Sequence, residues 1–405
     1  MKNLKHTFIM VAVTVFFLVV LELLARWIYP VQKPVAREDI AYEHDPVYQI
    51  RLKPYMTRQF IRQPENGGDT IRWRTNSMGF RGAELRTSDY RIVIYGDSNV
   101  QARFSKEENT YAQQLARLLA AAWQKDVEVL NSGVLGFGPD QALLKFEQEA
   151  DLLEPDLAIL VLFADNDYGD LLRNRLFELD AEGDLKASEI PFEIDGALMS
   201  EEDESSLRLL AITRWLNARF FPKAKKEYAC YDEWLKQEML ESMTTWEEGS
   251  WKQYQIRGPK KYRFRADYYD VDLANYPDLT SSKLKLALMS GVLRSFRESA
   301  EAKGVDFLVM ILPSAIDMTE SNYFISKADI RKPDGVYNPA NLSVFAEGIC
   351  TEEQIEFINL YHLFSKNDPG SLYFSCLDNH WNDAGQELAA RETTHFLVER
   401  VAVGN

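Results

Sequence analysis

The chain has 405 residues, 62 of them acidic and 46 basic, for a formal net charge of -16. That balance repels phosphate backbones and anionic lipid surfaces, so no nucleic-acid partner is expected, and the length suits one large domain with decorations or two modest ones. Three widely spaced cysteines, Cys230, Cys350 and Cys376, give no pattern of a metal-ligand cluster or a dense disulfide framework and are expected to be structural thiols, with a single disulfide beside one free thiol as the alternative.

Lys2 and Lys5 precede an apolar run from Thr7 to Leu24 that is broken only by threonines and Glu22. The run has the length of a membrane span and no small-x-small cleavage pattern follows it. Residues 1–28 are therefore expected to form an uncleaved transmembrane anchor, with a buried core helix as the alternative. Lysines on the short N-terminal side place the body in the periplasm or outside the cell. From Tyr29 to Glu65 the chain is rich in Pro, Arg and Gln without sustained periodicity, and residues 29–90 read as a linker and lead-in.

From Arg91 onward short apolar runs alternate with longer helical patterns. Ile92–Tyr95 is a strand, followed by a helix from about Thr110 to Trp123 and a second strand at Val127–Leu130. Next come the glycine-spaced turn Gly133, Gly136 and Gly138, a helix opened by Pro139 and running to about Ala150, and a third strand at Leu157–Leu162. The alternation then stops. Residues 171–278 are acidic and aromatic-rich and read as an insertion. Its run Glu201–Glu204 is expected to be a solvated loop, and Trp234, Trp246, Trp251, Tyr254, Tyr268 and Tyr269 its own core, with sugar stacking as the alternative. A helix from about Ser281 to Lys303, a strand from Val305 to Leu312, a strand near Ile355–Ile358 and a helix from about Asp383 to Val401 complete the order. Five such strands with helices on both faces make a three-layer α/β/α sandwich around a parallel sheet, spanning residues 91–401.

In parallel sheets functional groups collect at the carboxyl ends of strands. The first three strands here end in Gly96-Asp97-Ser98, in Asn131-Ser132-Gly133 with Gly136 beyond, and in Ala164-Asp165-Asn166-Asp167. A serine nucleophile needs a base, and the chain has five histidines: His6, His44, His362, His380 and His395. His380 alone sits in a polar loop before a helix with an acid, Asp378, two residues away to hold its tautomer.

Together these blocks resemble the SGNH, or GDSL-type, hydrolase superfamily. Gly96-Asp97-Ser98 is similar to its first block, Gly136 to the glycine of the second, Asn166 to the asparagine of the third, and Asp378 with His380 to the last. The resemblance covers roughly Arg91 to Arg391 and extends upstream, toward membrane-anchored bacterial members, through Arg74-Thr75-Asn76-Ser77-Met78-Gly79-Phe80-Arg81-Gly82. Asn99 and Val100 after the serine, Ala164 before the asparagine and the single residue between Asp378 and His380 depart from the usual pattern without removing a reacting group. The resemblance implies a flavodoxin-like fold and a catalytic triad of Ser98, His380 and Asp378. It further implies an oxyanion hole from Ser98, Gly136 and Asn166, no metal and no cofactor. Hydrolysis of an acyl ester, on a carbohydrate or a lipid, is the first reading. An O-acyltransferase acting on a cell-envelope polysaccharide, an inactive assembly component of such a system, and a metal-dependent hydrolase using Asp97, Asp378 and His380 are the rivals. The sequence leaves the oligomeric state open.

Overall fold

In a computed structural model of the chain, residues 41–62, 66–188, 245–257, 269–319, 325–375 and 379–404 are described, with residues 240, 243 and parts of 6–22. The chain divides into two units, the smaller made of Met1–Ile40 and Gly196–Ala229. Of that unit only stretches within 6–22 are described. Residues 16–22 are helical, with Phe16, Phe17, Leu18 and Val19 exposed. Among the described residues no helix is long and apolar enough to cross a membrane, and most of the expected anchor lies outside them.

The larger unit opens with strands that the composition of residues 29–65 hides. β1 (Tyr42–Asp45) pairs antiparallel with β2 (Gln49–Leu52), and β3 (Thr57–Ile61) with β4 (Thr70–Arg74). In β4 the side chains alternate, Ile71 and Trp73 buried and Thr70, Arg72 and Arg74 exposed, as a sheet with one face on a core requires. The lead-in is thus packed structure.

The main sheet contains β5 (Tyr90–Tyr95), β6 (Val127–Asn131) and β7 (Leu157–Ala164). After a small hairpin of β8 (Phe177–Leu179) and β9 (Leu185–Ala187) come its last two strands, β10 (Asp306–Pro313) and β11 (Glu356–Asn359). All its pairings are parallel, in the order β11-β10-β7-β5-β6. Every residue of β7 is buried, so an uninterrupted apolar run is what a strand covered on both faces needs.

The crossovers are α2 (Tyr111–Trp123) between β5 and β6, α3 (Pro139–Leu153) between β6 and β7, α6 (Thr280–Ala302) before β10, and α7 (Asn341–Glu352) before β11. The others that matter are α1 (Ser98–Gln101), α4 (Asp167–Asn174), α5 (Glu248–Arg257) and the terminal α8 (Asp383–Gly404). Right-handed crossovers put α2 on one face, where it packs against α8. They put α3, α6 and α7 on the other, where α6 packs against both its neighbours. Because β6 lies on one side of β5 and β7 on the other, the order reverses at β5. This is the switch point at which open sheets form their crevice.

The described end of the insertion is core. Trp246, Trp251 and Tyr254 pack with ring centroids 5.2 to 6.2 Å apart, and the Tyr254 hydroxyl donates to Leu172 O on α4 at 2.6 Å. Tyr269 is fully buried and donates to Asp317. The run Glu201–Glu204, Trp234 and Tyr268 lie outside the described residues. Lys285 on α6, itself buried, bridges Asp270 and Asp272 at 2.8 Å each and fixes the insertion's return to the sheet. Cys350 is buried in α7, and burial pushes its thiol up to about 12, so it is an inert core residue; Cys230 and Cys376 lie outside the described residues.

Candidate active site

β5 stops at Tyr95, and Gly96 turns the chain with a φ of 152°. A Cβ at Gly96 would stand 2.6 Å from Val100 Cγ2 on α1 and 3.0 Å from Val161 O on β7, so only glycine passes between that helix and strand. Asp97 then caps α1, accepting from the Asn99 N–H at 2.7 Å, which starts the helix at Ser98. The far end of α1 is held by Arg81. This buried guanidinium donates to the carbonyls of Gln101, Ala102 and Ser105, and burial pulls it down to about 10. Behind α1, a Cβ on Gly133 would be 2.3 Å from Gln101 N and 2.7 Å from the Val100 carbonyl carbon, so the chain leaving β6 lies directly against the helix backbone.

Ser98 and His380, 282 residues apart in sequence, meet here: Ser98 Oγ and His380 Nε2 are 2.7 Å apart. With the ring proton on Nδ1 the serine hydroxyl donates to Nε2. Its other neighbouring acceptor, Asp97 Oδ2, is 3.5 Å away, at the limit of a hydrogen bond. The histidine loop is tied to the serine turn by its next residue, since Trp381 Nε1 donates to Asn99 O at 2.9 Å and both residues are buried. From the other side the lead-in grips the same loop. Asn66 exchanges two hydrogen bonds with the Ser375 backbone at 2.7 and 3.0 Å, and Arg62 pairs with Asp383 at 2.6 Å. Asp378, expected to orient His380, lies outside the described residues.

Gly136 and Asn166 occupy the loops after β6 and β7, on either side of the Ser98 turn. Asn166 Nδ2 donates to Asp170 Oδ2 at 2.8 Å, which leaves its second amide proton for another acceptor. Asp170 pairs with Arg173 at 2.5 Å, and Arg173 donates onward to Gly136 O at 2.6 Å. Ser98, Gly136, Asn166 and His380 are each partly exposed, while Asp97, Asn99, Asp165 and Asp167 beside them are buried. The exposed face of this cluster is thus made of Ser98, Gly136, Asn166 and His380.

Burial pushes the carboxyls of Asp97, Asp165 and Asp167 up; at Asp97 the charge of His380 and hydrogen bonds from Asn99 and Ser98 pull back, and at Asp167 the neighbouring Asp97 and Asp170 push further. Among the described residues no group of three or more His, Cys, Asp or Glu side chains is placed to hold a metal ion.

No family model and no curated protein matches the chain. Solved structures similar to it include a lipase/acylhydrolase from Enterococcus faecalis, at 10% identity and a TM-score of 0.38 over 77% of this chain and 96% of that one. A catalytic mutant of an acetylxylan esterase from Geobacillus stearothermophilus is similar at 12% identity and a TM-score of 0.36, over 77% of this chain and 95% of that one. A putative lipolytic protein of the G-D-S-L family from Desulfitobacterium hafniense is similar at 10% identity and a TM-score of 0.33, over 76% of this chain and 99% of that one.

Of the expected site residues, Ser98 and His380 are brought into direct contact, and Gly136 and Asn166 are linked through Asp170 and Arg173. The other described histidines are elsewhere occupied or exposed: His44 Nδ1 is 2.9 Å from Gln49 O, and His395 pairs with Glu399 on the outside of α8. Asn99, Trp381, Arg81, Asp170 and Arg173 were not legible as site residues. Each acts on a partner from another turn or element, and only the adjacency of Trp381 to His380 and the Asn76–Gly82 motif around Arg81 offered a signal.

Proposed function

We propose that this chain is a serine-dependent ester hydrolase in which Ser98 is the nucleophile and His380 the general base. The observation that carries the reading is the 2.7 Å approach of Ser98 Oγ to His380 Nε2 at the switch point of the sheet. His380 takes the hydroxyl proton as Ser98 attacks the ester carbonyl, and returns it to the leaving alcohol. The first-turn N–H of Ser98, which has no acceptor within its helix, the N–H of Gly136 and the free amide proton of Asn166 stabilise the tetrahedral oxyanion. Asp378 holds the imidazole and steadies its charge. Water then releases the acyl group from Ser98; an alcohol doing so instead would make the protein an O-acyltransferase.

The apolar run Thr7–Leu24 anchors the body to a membrane and keeps it on the periplasmic or outer side, which suits an acyl ester on an envelope carbohydrate or lipid. Support comes from the exposed apolar side chains of Phe16, Phe17, Leu18 and Val19.

The test is release of p-nitrophenol from p-nitrophenyl acetate by the detergent-solubilised full chain beside Ser98→Ala, with and without an oligosaccharide acceptor. Turnover that needs Ser98 and yields acetate supports the hydrolase. Acetyl appearing on the sugar would move the reading to a transferase, and equal rates in both proteins would end the nucleophile assignment.

A further inference from the structure

We propose that Asp170 and Arg173 are a positioning pair that sets Gly136 and Asn166, the two oxyanion donors flanking Ser98, as one unit. The inference rests on the reading of Ser98 as nucleophile and deepens it. Asn166 stands at the N-cap of α4, where an asparagine ordinarily turns its side chain back onto the helix amides, yet here it makes no such bond. Its Nδ2 reaches one turn forward to Asp170 Oδ2 at 2.8 Å. A carboxylate only accepts, so Asp170 selects the nitrogen of the amide over its oxygen. That fixes which end of Asn166 faces the carboxylate and leaves its second proton available to the site.

The other side of the link is Arg173, whose Nη1 meets Asp170 Oδ1 at 2.5 Å and whose Nη2 donates to Gly136 O at 2.6 Å. Gly136 needs an external hold, because it has a φ of 74° and no side chain to pack. A planar guanidinium with fixed donor directions provides that hold and transmits it to the carboxylate. Both side chains are nearly out of solvent, at 9% and 2% exposure. A buried ion pair is a poor way to gain stability, since apolar residues of similar volume usually do as well, so its placement between these two residues calls for a role in geometry.

The experiment measures kcat and KM for p-nitrophenyl acetate with the full chain. The proteins are wild type, Asp170→Asn, Arg173→Gln, the double Asp170→Asn/Arg173→Gln, Asn166→Ala, and Asn166→Ala combined with Asp170→Asn. The double variant removes both charges of the pair together, so it keeps the test available if a single variant does not fold. The expected result is a fall in kcat of about 10- to 100-fold with KM within about twofold. In the Asn166→Ala background Asp170→Asn should add less than about threefold, because its effect passes through Asn166. An unchanged kcat in the double variant, or full additivity of Asp170→Asn with Asn166→Ala, overturns the pair's role while leaving the nucleophile reading intact. Turnover that persists in Ser98→Ala, measured alongside these proteins, overturns both.

Discussion

Trp381 follows His380 in sequence and reaches back 2.9 Å to the Asn99 carbonyl, so one indole N–H joins the loop that carries His380 to the turn that carries Ser98. Trp381→Phe keeps most of the ring's packing and removes that single donor. The buried Asn99 carbonyl then lacks its partner, at a cost of about 1–3 kcal/mol. We expect a lower melting temperature and a kcat about 10- to 100-fold down, since small displacements of a base are expensive in rate. A variant that melts lower yet turns over at the wild-type rate would show that the loop's other ties, among them Asn66, Arg62 and the Phe374 N–H on His380 O, are enough to hold it in register. At this scale sequence reasoning picked out Ser98, Gly136, Asn166 and His380, because they sit at strand ends and in the terminal loop in a recognisable order, and the structure brings Ser98 and His380 into contact. It missed Asn99 and Arg173 because a side chain that holds another from a neighbouring turn leaves no spacing signature.

The element most exposed to error is α1, four residues long and held from outside at both ends. Gly133→Ala would drive a Cβ into backbone atoms of Gln101 and Val100, at 2.3 and 2.7 Å respectively, which no rotamer change can relieve. Displacement of α1 should cost about 1–3 kcal/mol, as over-packing usually does, and take Ser98 out of reach of His380. Thermal melting and turnover measured together check this: loss of activity in a protein that still folds is expected, and wild-type activity would mean that the β6 loop does not set the helix. The sheet strands were legible because fully buried parallel strands leave long apolar runs, as Leu157–Ala164 does. β3 and β4 were not, because only alternate positions such as Ile71 and Trp73 face a core, and the arginines between them read as polar linker. Most of the insertion lacks a period of its own. Its described aromatics find their partners on α4 and near Asp317, which no local pattern announces.

Across the whole molecule the acidic composition is partly neutralised by burial. Asp140 and Asp317 are enclosed, and burial pushes each from the ordinary carboxylate range up to about 7. A carboxyl that keeps its proton in the folded chain but loses it near pH 4 when unfolded favours folding at low pH. That contribution is complete below about pH 4 and is lost as pH rises toward and through 7. For each group the change is worth about 4 kcal/mol at most. The melting temperature of the wild type should therefore fall between pH 5.5 and 8.5, and Asp317→Asn should shrink the fall, gaining stability chiefly at pH 8.5. A fall of the same size in the variant would mean that Asp317 is ionised in the folded state.

The central claim is also a whole-molecule one, since the proposed nucleophile and base, 282 residues apart, form one site only if the chain folds as described. The most direct test is to treat the full chain and His380→Ala with a fluorophosphonate and locate the adduct by peptide mass spectrometry. The account predicts a single adduct on Ser98 in the wild type and little or none in His380→Ala. A label on another serine, or equal labelling of Ser98 without His380, would contradict it.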